Sequence, residues 1–165
     1  MENIVLVGFM GTGKSAAGKK LAEKLHRDFL ELDDMIEKKE GMSITDIFEK
    51  KGEPYFRMVE KEVVKEASHR KNIVISAGGG SIVDEENFKN LKHSGKIICL
   101  KASPDTILKR TQGLKTRPLL NIPDPKKKIE ELLKKREPYY NKADFSVNTD
   151  NISIERVIEE ILKLS

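Results

Sequence analysis

The residues with the clearest chemical potential form the segment Gly8–Ser15, which reads GFMGTGKS. It matches the pattern G-x-x-x-x-G-K-[ST], in which glycines allow the backbone to turn successive N–H groups towards an anion. The segment follows a predicted strand and opens a predicted helix, whose N-terminus adds partial positive charge. Lys14 can reach the β- and γ-phosphates of a nucleotide, and Ser15 can offer a hydroxyl to Mg²⁺. The segment therefore predicts a loop that holds the phosphates of ATP.

This phosphate loop indicates the phosphate donor but leaves the acceptor open, because kinases, GTPases, ATPases and sensors all use such a loop. A chain of 165 residues suits one compact domain covering residues 1–165, which disfavours a motor protein. We expect no guanine-reading N-K-x-D element, which disfavours a GTPase. A glycine-rich turn capped by serine is the non-functional alternative, and the flanking strand and helix disfavour it.

Composition limits the classes of partner. The chain has 31 basic and 27 acidic residues, a net charge of +4, and the acidic residues are spread along nearly every predicted helix. This distribution argues against a nucleic-acid surface, and an anionic substrate explains the basic excess. Only seven of the basic residues are arginines. Each arginine is therefore a candidate for bidentate recognition of a carboxylate or phosphate, which lysine cannot supply.

Acidic residues follow the second apolar run of the chain. Glu31, Asp33 and Asp34 stand where that predicted strand ends. A carboxylate at this place can orient or deprotonate the hydroxyl of a substrate. Capping of the following helix by Asp33 or Asp34 is the structural alternative.

Two arginines and a run of glycines complete the candidates for binding an acceptor. Arg57 falls near the first turn of a predicted helix. The helix dipole disfavours positive charge there, so either an anionic partner or a solvated surface position explains it. Arg136 lies at helical spacing from apolar neighbours, and a charge that points inward needs a partner. The three adjacent glycines Gly78–Gly80 predict either close approach of the backbone to another group or a tight turn.

The stretch Thr111–Asp124 contains a glycine, two prolines and mixed charge. A loop of this length is unusual within a compact domain and predicts a lid. Arg117 lies within it, where closure of the lid would bring the guanidinium onto the transferring phosphate.

These residues need elements that bring them together. Short β-branched runs alternate with longer amphipathic stretches, which predicts a parallel sheet covered by helices. The predicted strands are Ile4–Val7, Phe29–Leu32, Ile73–Ser76, Ile97–Leu100 and Phe145–Val147. The predicted helices are Lys14–Leu25, Met35–Lys39, Ile44–Lys50, Glu53–Ser68, Asp84–Lys92, Pro104–Arg110, Pro125–Lys142 and Ile154–Leu164. In such a sheet the ligands bind at the carboxyl ends of the strands, where several of the candidate residues fall.

The sequence also indicates a compartment. No apolar run approaches the ~18 residues that a membrane-spanning helix needs, and the acidic N-terminal segment does not resemble a signal peptide. The single cysteine, Cys99, lies in the apolar run IICL and is expected to be an inert core thiol. We expect a soluble, cytoplasmic protein that binds no membrane.

Six segments, in order and spacing, resemble the shikimate kinase family over essentially the whole chain: GFMGTGKSAAG, DDMIEKKEGMSITDIF, GEPYFRMVE, AGGGS, KTRPLL and KREPYY. The resemblance implies a three-layer α/β/α P-loop fold, like that of nucleoside monophosphate kinases, with a five-stranded parallel sheet and a mobile lid at about 111–124. It also implies transfer of the γ-phosphate of ATP to the 3-hydroxyl of shikimate, with one Mg²⁺ ion accompanying ATP. We expect a monomer.

The resemblance assigns roles to individual residues. It implies that Asp33 binds the acceptor hydroxyls and orients or deprotonates the 3-hydroxyl, within an acceptor-binding helical region at about 33–60. Lys14 and Arg117 join Asp33 in catalysis, and Ser15 binds the metal. Shikimate contacts are implied for Asp33, Arg57, Gly78, Gly79, Gly80 and Arg136. Contacts with ATP are implied for Gly11, Thr12, Gly13, Lys14, Ser15, Ala16, Arg110 and Arg117, with residues 148–152 beside adenine.

One position departs from the family pattern, in which many members carry Asp-x-Asp on the second strand. Here the first position is Glu31, which places its role at the metal, and that of Ser76 nearby, in question. Two other functions remain open from the residues: a kinase of another hydroxylated acid such as gluconate, and a non-catalytic ATP sensor. The pairing of Arg57 and Arg136 with Asp33 favours shikimate over gluconate. A sensor needs no acceptor site, so it is disfavoured by the presence together of Lys14, Ser15, Asp33 and Arg117.

Overall fold

The computed structural model describes residues 2–112 and 122–165. Its strands are β1 (Asn3–Val7), β2 (Asp28–Glu31), β3 (Ile73–Ser76), β4 (Gly95–Lys101) and β5 (Phe145–Asn148). The α-helices within the described ranges are α1 (Lys14–Leu25), α2 (Leu32–Glu40), α3 (Ile44–Lys51), α4 (Glu53–Ser68), α5 (Glu85–Ser94), α6 (Pro104–Thr111), α7 (Pro125–Tyr140) and α8 (Ile154–Leu164). A single 3₁₀ turn, Ser81–Val83, precedes α5. Each predicted strand and helix is present, with small shifts in its bounds.

The five strands form one parallel sheet in the order β2-β3-β1-β4-β5. Strand β1 is central. The next two strands of the chain, β2 and β3, lie on one side of it, and the last two, β4 and β5, lie on the other. Such a reversal of strand order opens a crevice at the carboxyl edge of a parallel sheet. The phosphate loop follows β1 and therefore lies in the middle of this edge, beside the residues that follow β3.

Helices cover both faces of the sheet. Successive residues of a strand point to opposite faces, so Val5 and Val7 join one core, which includes residues of helices α2–α7. Ile4 and Leu6 join the other core, packed against α1 and α8. The predicted three-layer α/β/α arrangement is confirmed.

The largest difference from the predicted bounds concerns Asp33 and Asp34. Strand β2 ends at Glu31 and helix α2 begins at Leu32, so both aspartates lie in the first turn of the helix rather than at the end of the strand. Leu32 and Ile36 are one helical turn apart and fully buried, which starts the apolar face of the helix earlier than expected. Aspartate in a first turn is also favoured by the helix dipole. The cap position itself belongs to Glu31, so the capping role considered for Asp33 or Asp34 is wrong.

Most helices begin with a side chain that accepts a hydrogen bond from a backbone N–H of the first turn, as Ser and Asp caps do. The capping residues are Ser43, Asp84, Ser103, Asp124 and Ser153. Helix α1 differs: it begins after Gly13, no side chain of the described residues caps it, and its first turn contains no acidic residue. Its N–H groups therefore remain available for an anion.

Within residues 2–112 and 122–165, no helix combines the length and the apolar character required to span a membrane.

Cys99 is fully buried in β4, and burial raises the pKa of its thiol to about 11. The expected core position of Cys99 is confirmed, and because the thiolate is the reactive form, its inertness stays a prediction.

Candidate active site

The phosphate loop joins β1 to α1 at the centre of the carboxyl edge. Gly8, Gly11 and Gly13 have φ angles of +139°, +80° and +95°, which residues with a Cβ rarely adopt. Gly8 is crowded as well, because a Cβ there would collide with the Leu100 carbonyl oxygen. The prediction that these positions require glycine is confirmed.

Two side chains of the loop's helical end face a cavity. The Lys14 ammonium donates to the carbonyl oxygens of Gly8 and Phe9 at 2.8 and 3.0 Å, and the Ser15 hydroxyl donates to Glu31 Oε2 at 2.5 Å. The cavity, of about 290 Å³, is lined by the predicted residues Gly11, Gly13, Lys14, Ser15, Ala16, Asp33, Gly78, Gly79 and Arg110. Residues of the phosphate loop and of the start of α1 thus share a cavity with residues from α2, α6 and the segment after β3.

Thr12 was expected among the residues that contact ATP. Its side chain is buried and its hydroxyl donates to the Phe9 carbonyl oxygen at 2.8 Å. The side chain therefore stabilises the shape of the loop, and an ATP contact at this position would come from the backbone.

Arg110 ties the phosphate loop to the segment that follows β5. Its Nη1 donates to the Gly11 carbonyl oxygen and to Thr149 Oγ1, both at 3.1 Å, and its Nη2 donates to the Thr149 carbonyl oxygen at 3.0 Å. Hydrogen bonds of a guanidinium lie in its plane, so they fix the orientation of that plane and leave its faces for stacking. This geometry suits the predicted position beside a nucleotide base.

The glycine turn Gly78–Gly80 follows β3. None of its residues has a positive φ, so backbone torsion does not explain the glycines. Space does: a Cβ at residue 78 would lie 3.2 Å from Asp33 Oδ1 and 3.2 Å from Glu60 Oε2. Of the two explanations that the sequence left open, close approach of the backbone to other groups is the correct one.

Arg57 and Arg136 come from α4 and α7 and converge on Gly80. The position that a Cβ of Gly80 would occupy lies 2.8 Å from Arg57 Nη2 and 3.1 Å from Arg136 Nη2. Two guanidinium groups at one point strongly favour an anion. They line a second cavity of about 640 Å³, whose walls also include Glu60, Leu132 and Tyr139.

The two guanidinium groups have different partners. Arg57 is partly exposed and forms ion pairs with Glu60 at 3.0 Å and Glu53 at 3.5 Å. Arg136 is buried, its guanidinium carbon lies 5.2 Å from the centre of the Phe9 ring, and its Nη1 has no hydrogen-bond partner among the described residues. A buried charge with an unpaired donor is costly unless an anion binds it.

Asp33 lies between the two cavities. It lines the phosphate cavity, while Gly78 brings it near Glu60 at the edge of the other. Burial is the main cause that raises the pKa of both Glu31 and Glu60, and the negative charge of Asp33 raises each of them further. The structure therefore places a carboxylate between the loop predicted to bind phosphates and the pair of arginines that converge on Gly80.

This geometry agrees with comparisons to known proteins. The sequence profile of the family described as "Shikimate kinase" matches residues 10–165. The chain belongs to the shikimate kinase family. The shikimate kinase of Caldanaerobacter subterraneus subsp. tengcongensis is 49% identical to it over 163 residues, covering 99% of this chain and 95% of that protein. The shikimate kinase of Thermodesulfovibrio yellowstonii is 48% identical over 163 residues, with coverages of 99% and 94%.

Solved structures agree with the family assignment. The shikimate kinase of Acinetobacter baumannii, solved in complex with shikimate, superposes with a TM-score of 0.97 at 41% identity, covering 99% of this chain and 92% of that one. The P-loop fold predicted from the resemblance is confirmed.

Glu60 was not among the residues predicted from the sequence, although the structure places it directly beside Arg57. Glu60 is buried and pairs with Arg57. The signal was present, because Glu60 follows Arg57 by three residues on a helix, a spacing at which side chains meet. Phe9 was also missed, since an aromatic residue within a phosphate loop indicates nothing by itself.

The donor set around Ser15 fits the Mg²⁺ ion expected for a shikimate kinase. Mg²⁺ keeps several waters and takes few protein ligands when it accompanies nucleotide phosphates. The described residues contain no cluster of three or more His, Cys, Asp or Glu that could hold a metal alone. Glu31 reaches the Ser15 hydroxyl despite its extra methylene. Ser76 interacts with Glu31 and lowers its pKa, although its oxygen lacks the geometry of a full hydrogen bond.

The expectation that the chain lacks an N-K-x-D sequence is wrong, because Asn141, Lys142, Ala143 and Asp144 spell one. The structure still argues against guanine recognition there. The segment precedes β5 and lies at its amino-terminal end, whereas the phosphate loop lies at the carboxyl edge of the sheet. The Asp144 carboxylate accepts hydrogen bonds from Lys92 and from the backbone N–H of Ile97. It therefore connects the start of β5 to α5 and β4.

The predicted lid falls largely outside the described residues. Helix α6 extends to Thr111, one residue further than predicted, and α7 begins at Pro125. Arg117 lies outside the residues that the structure describes, and its place in this shikimate kinase site stays a prediction.

Proposed function

We propose that this chain catalyses the transfer of the γ-phosphate of ATP to the 3-hydroxyl of shikimate, giving shikimate 3-phosphate and ADP. Membership of the shikimate kinase family confirms the activity predicted from the sequence. ATP is the co-substrate of that family.

The convergence of Arg57 and Arg136 on Gly80 is the observation that carries this assignment of residues. Shikimate has one carboxylate, and a pair of planar guanidinium groups suits it. Since Arg136 Nη1 has no partner among the described residues, a bound carboxylate would satisfy a buried donor. We assign the cavity at Gly80 to the acid end of shikimate.

Asp33 then orients the acceptor hydroxyl. It lies between the arginine pair and the phosphate cavity, so a substrate held by its carboxylate at Gly80 directs its ring towards Asp33. A carboxylate there can accept the hydrogen bond of the 3-hydroxyl and align its oxygen with the γ-phosphate. Gly78 and Gly79 leave the space that this alignment requires.

Lys14 and the N-terminus of α1 stabilise the charge that develops on the transferring phosphate, because phosphoryl transfer depends mainly on positioning and electrostatics. Ser15, with Glu31 behind it, would hold Mg²⁺, which neutralises phosphate charge when bound. Arg117 is assigned to the lid at about 111–124, which would close over the phosphates. We further propose a single domain that acts as a monomer.

The test is a coupled assay of ADP release with ATP and Mg²⁺, run with shikimate and with gluconate. We expect ADP release that depends on shikimate and no release with gluconate. Activity with gluconate alone would favour the kinase of another hydroxylated acid, and ATP binding without acceptor-dependent release would favour a sensor.

The assignment of Asp33 is tested in the same assay with Asp33→Asn. We expect kcat to fall by about 10²-fold or more, because an amide cannot accept a proton from the hydroxyl. Asp34→Asn is the matched control: the adjacent exposed aspartate has no assigned role and should retain kcat. A near-normal kcat for Asp33→Asn would exclude the proposed role without affecting the identity of the substrate.

A further inference from the structure

The carbonyl groups of the glycine turn are each held by a hydrogen bond. The Gly78 carbonyl accepts from the backbone N–H and hydroxyl of Ser81 at 3.1 and 2.7 Å, and the Gly80 carbonyl accepts from the Val83 N–H at 3.2 Å. These partners are local. The Gly79 carbonyl is different, because it accepts a hydrogen bond of 2.5 Å from the hydroxyl of Tyr140, 61 residues away in the chain.

Tyr140 stands on the same helix as Arg136. The two are four residues apart on α7, a spacing that places side chains on one face of a helix. Arg136 Nη1 lies 3.2 Å from the position of a Cβ on Gly79. One face of α7 therefore contacts the same glycine twice, once through a guanidinium and once through a hydroxyl.

The hydrogen bond from Tyr140 also fixes a donor. The Gly79–Gly80 peptide bond is trans, since the described residues contain no cis peptide bond, and in a trans peptide the C=O and N–H groups point in opposite directions. Holding the Gly79 carbonyl against the Tyr140 hydroxyl therefore directs the Gly80 N–H away from that hydroxyl. Within the described chain this N–H makes no hydrogen bond, and it belongs to the residue on which both guanidinium groups converge.

We propose that Tyr140 is a positioning residue for the acceptor site. Its hydroxyl sets the orientation of the Gly79–Gly80 peptide and holds the glycine turn in register with Arg136, so that the Gly80 N–H and the arginine pair meet one carboxylate together. Tyr140 is buried and acts through the peptide rather than by touching substrate. Burial raises the pKa of its hydroxyl to about 12, so it remains a donor at the pH of any ordinary assay. The inference rests on the proposed function.

The test is Tyr140→Phe, which removes the hydroxyl and keeps the buried ring. We expect KM for shikimate to rise about 5- to 20-fold, as for loss of a buried hydrogen bond and of the geometry it maintains. The dissociation constant of shikimate from calorimetry should rise by the same factor, while kcat and KM for ATP change less than about threefold. Tyr55→Phe is the control, since the Tyr55 hydroxyl on α4 accepts an exposed hydrogen bond from Lys51, the last residue of α3, and the variant should leave all three constants unchanged.

An unchanged KM for shikimate in Tyr140→Phe would overturn the inference, and so would an equal rise in KM for both substrates, which would indicate general loss of structure. A wild-type chain with no shikimate-dependent activity would instead contradict the proposed function. A second measurement needs no variant: hydrogen exchange of the Gly80 amide in the wild-type chain should slow when shikimate binds, and exchange that does not change would also overturn the inference.

Discussion

Arg57 and Arg136 both direct a guanidinium group towards Gly80, but the two groups differ in burial and in their hydrogen-bond partners. Arg57 keeps two carboxylate partners and part of its surface in water, whereas Arg136 is buried with a donor left open. The buried group is costly to maintain and gains most from a bound anion. Arg57 is held in place by Glu60, and in the proposed function it provides the directed, bidentate part of the contact.

Arg57→Lys tests this division at the residue scale. Lysine keeps the positive charge but provides a point charge in place of a planar fork, so one of two charge-assisted hydrogen bonds is lost. We expect KM for shikimate to rise about tenfold, since such a bond is worth roughly 1.5–3 kcal/mol and 1.4 kcal/mol is a factor of ten. The measurement is steady-state kinetics with varied shikimate at saturating ATP, in which kcat should stay within about threefold.

A matched control exists on α8. Arg156 forms ion pairs with Glu159 and Glu160 at helical spacing, much as Arg57 does with its own helix, and α8 packs on the face of the sheet opposite to α4 and α7. Arg156→Lys should leave KM unchanged. If Arg57→Lys behaves in the same way, Arg57 is a surface residue of α4 and the assignment is wrong.

At the scale of elements, the glycine turn after β3 is the part on which the other elements converge. Residues of α2 and α4 approach Gly78, the phosphate loop and α7 approach Gly79, and α4 and α7 approach Gly80. A turn without side chains allows carboxylates and guanidinium groups from three helices to come close to one stretch of backbone. Glycine is thus required here by the side chains that pack against the turn, and not by the backbone torsions of the turn.

Gly80→Ala is expected to separate binding from folding. Its methyl group would lie 2.8 Å from Arg57 Nη2, and the ends of flexible arginine side chains can move at small cost. The variant should therefore fold with a nearly unchanged Tm, but KM for shikimate should rise more than tenfold because the guanidinium groups no longer converge. Thermal unfolding and steady-state kinetics on the same preparation give both quantities.

Gly41→Ala should show the opposite behaviour. Gly41 ends α2 with a φ of +66° and has open space around its Cβ position, so alanine costs roughly 1–2 kcal/mol of stability through backbone conformation alone. Its Tm should fall while KM stays constant. If Gly80→Ala also lowered only the Tm, the turn would be structural and the convergence of the arginines would not matter for binding.

At the scale of the whole molecule, the sheet places the site and also encloses the only cysteine of the sequence. Cys99 lies in β4, which is paired on both sides by β1 and β5, and it is fully buried. Reaction of its thiol with a reagent from solvent requires the sheet to open. The thiol therefore reports on global unfolding.

We expect native protein at pH 8 to react with a thiol reagent far more slowly than protein unfolded in denaturant. Two causes act together: the fold excludes the reagent, and burial raises the thiol pKa to about 11, which suppresses the thiolate. Saturating shikimate and ADP should slow the reaction further, because ligands that bind only the native state lower the population of open molecules. Cys99→Ala provides the blank, and rapid stoichiometric labelling of the native chain would contradict the prediction.

The order and type of the elements, the phosphate loop and the identity of most site residues could be derived from the sequence. The reason is local: glycine torsions, β-branched runs and the spacing of apolar residues act within a few neighbours of the chain. The same local signals do not determine the residue at which a strand ends and a helix begins. For this reason Asp33 was predicted at the end of a strand, whereas it lies in the first turn of α2.

Only the tertiary structure decided what the side chains meet. The sequence shows Gly80, Arg57 and Arg136 as separate candidates, and the sheet order β2-β3-β1-β4-β5 brings their helices to one point. The same holds for Glu60 behind Arg57 and for Tyr140 on the Gly79 carbonyl, since contacts between distant residues depend on how helices pack on the sheet rather than on any local pattern. The residue types in the sequence indicated the chemical groups of the site, and only the fold showed how these groups are arranged.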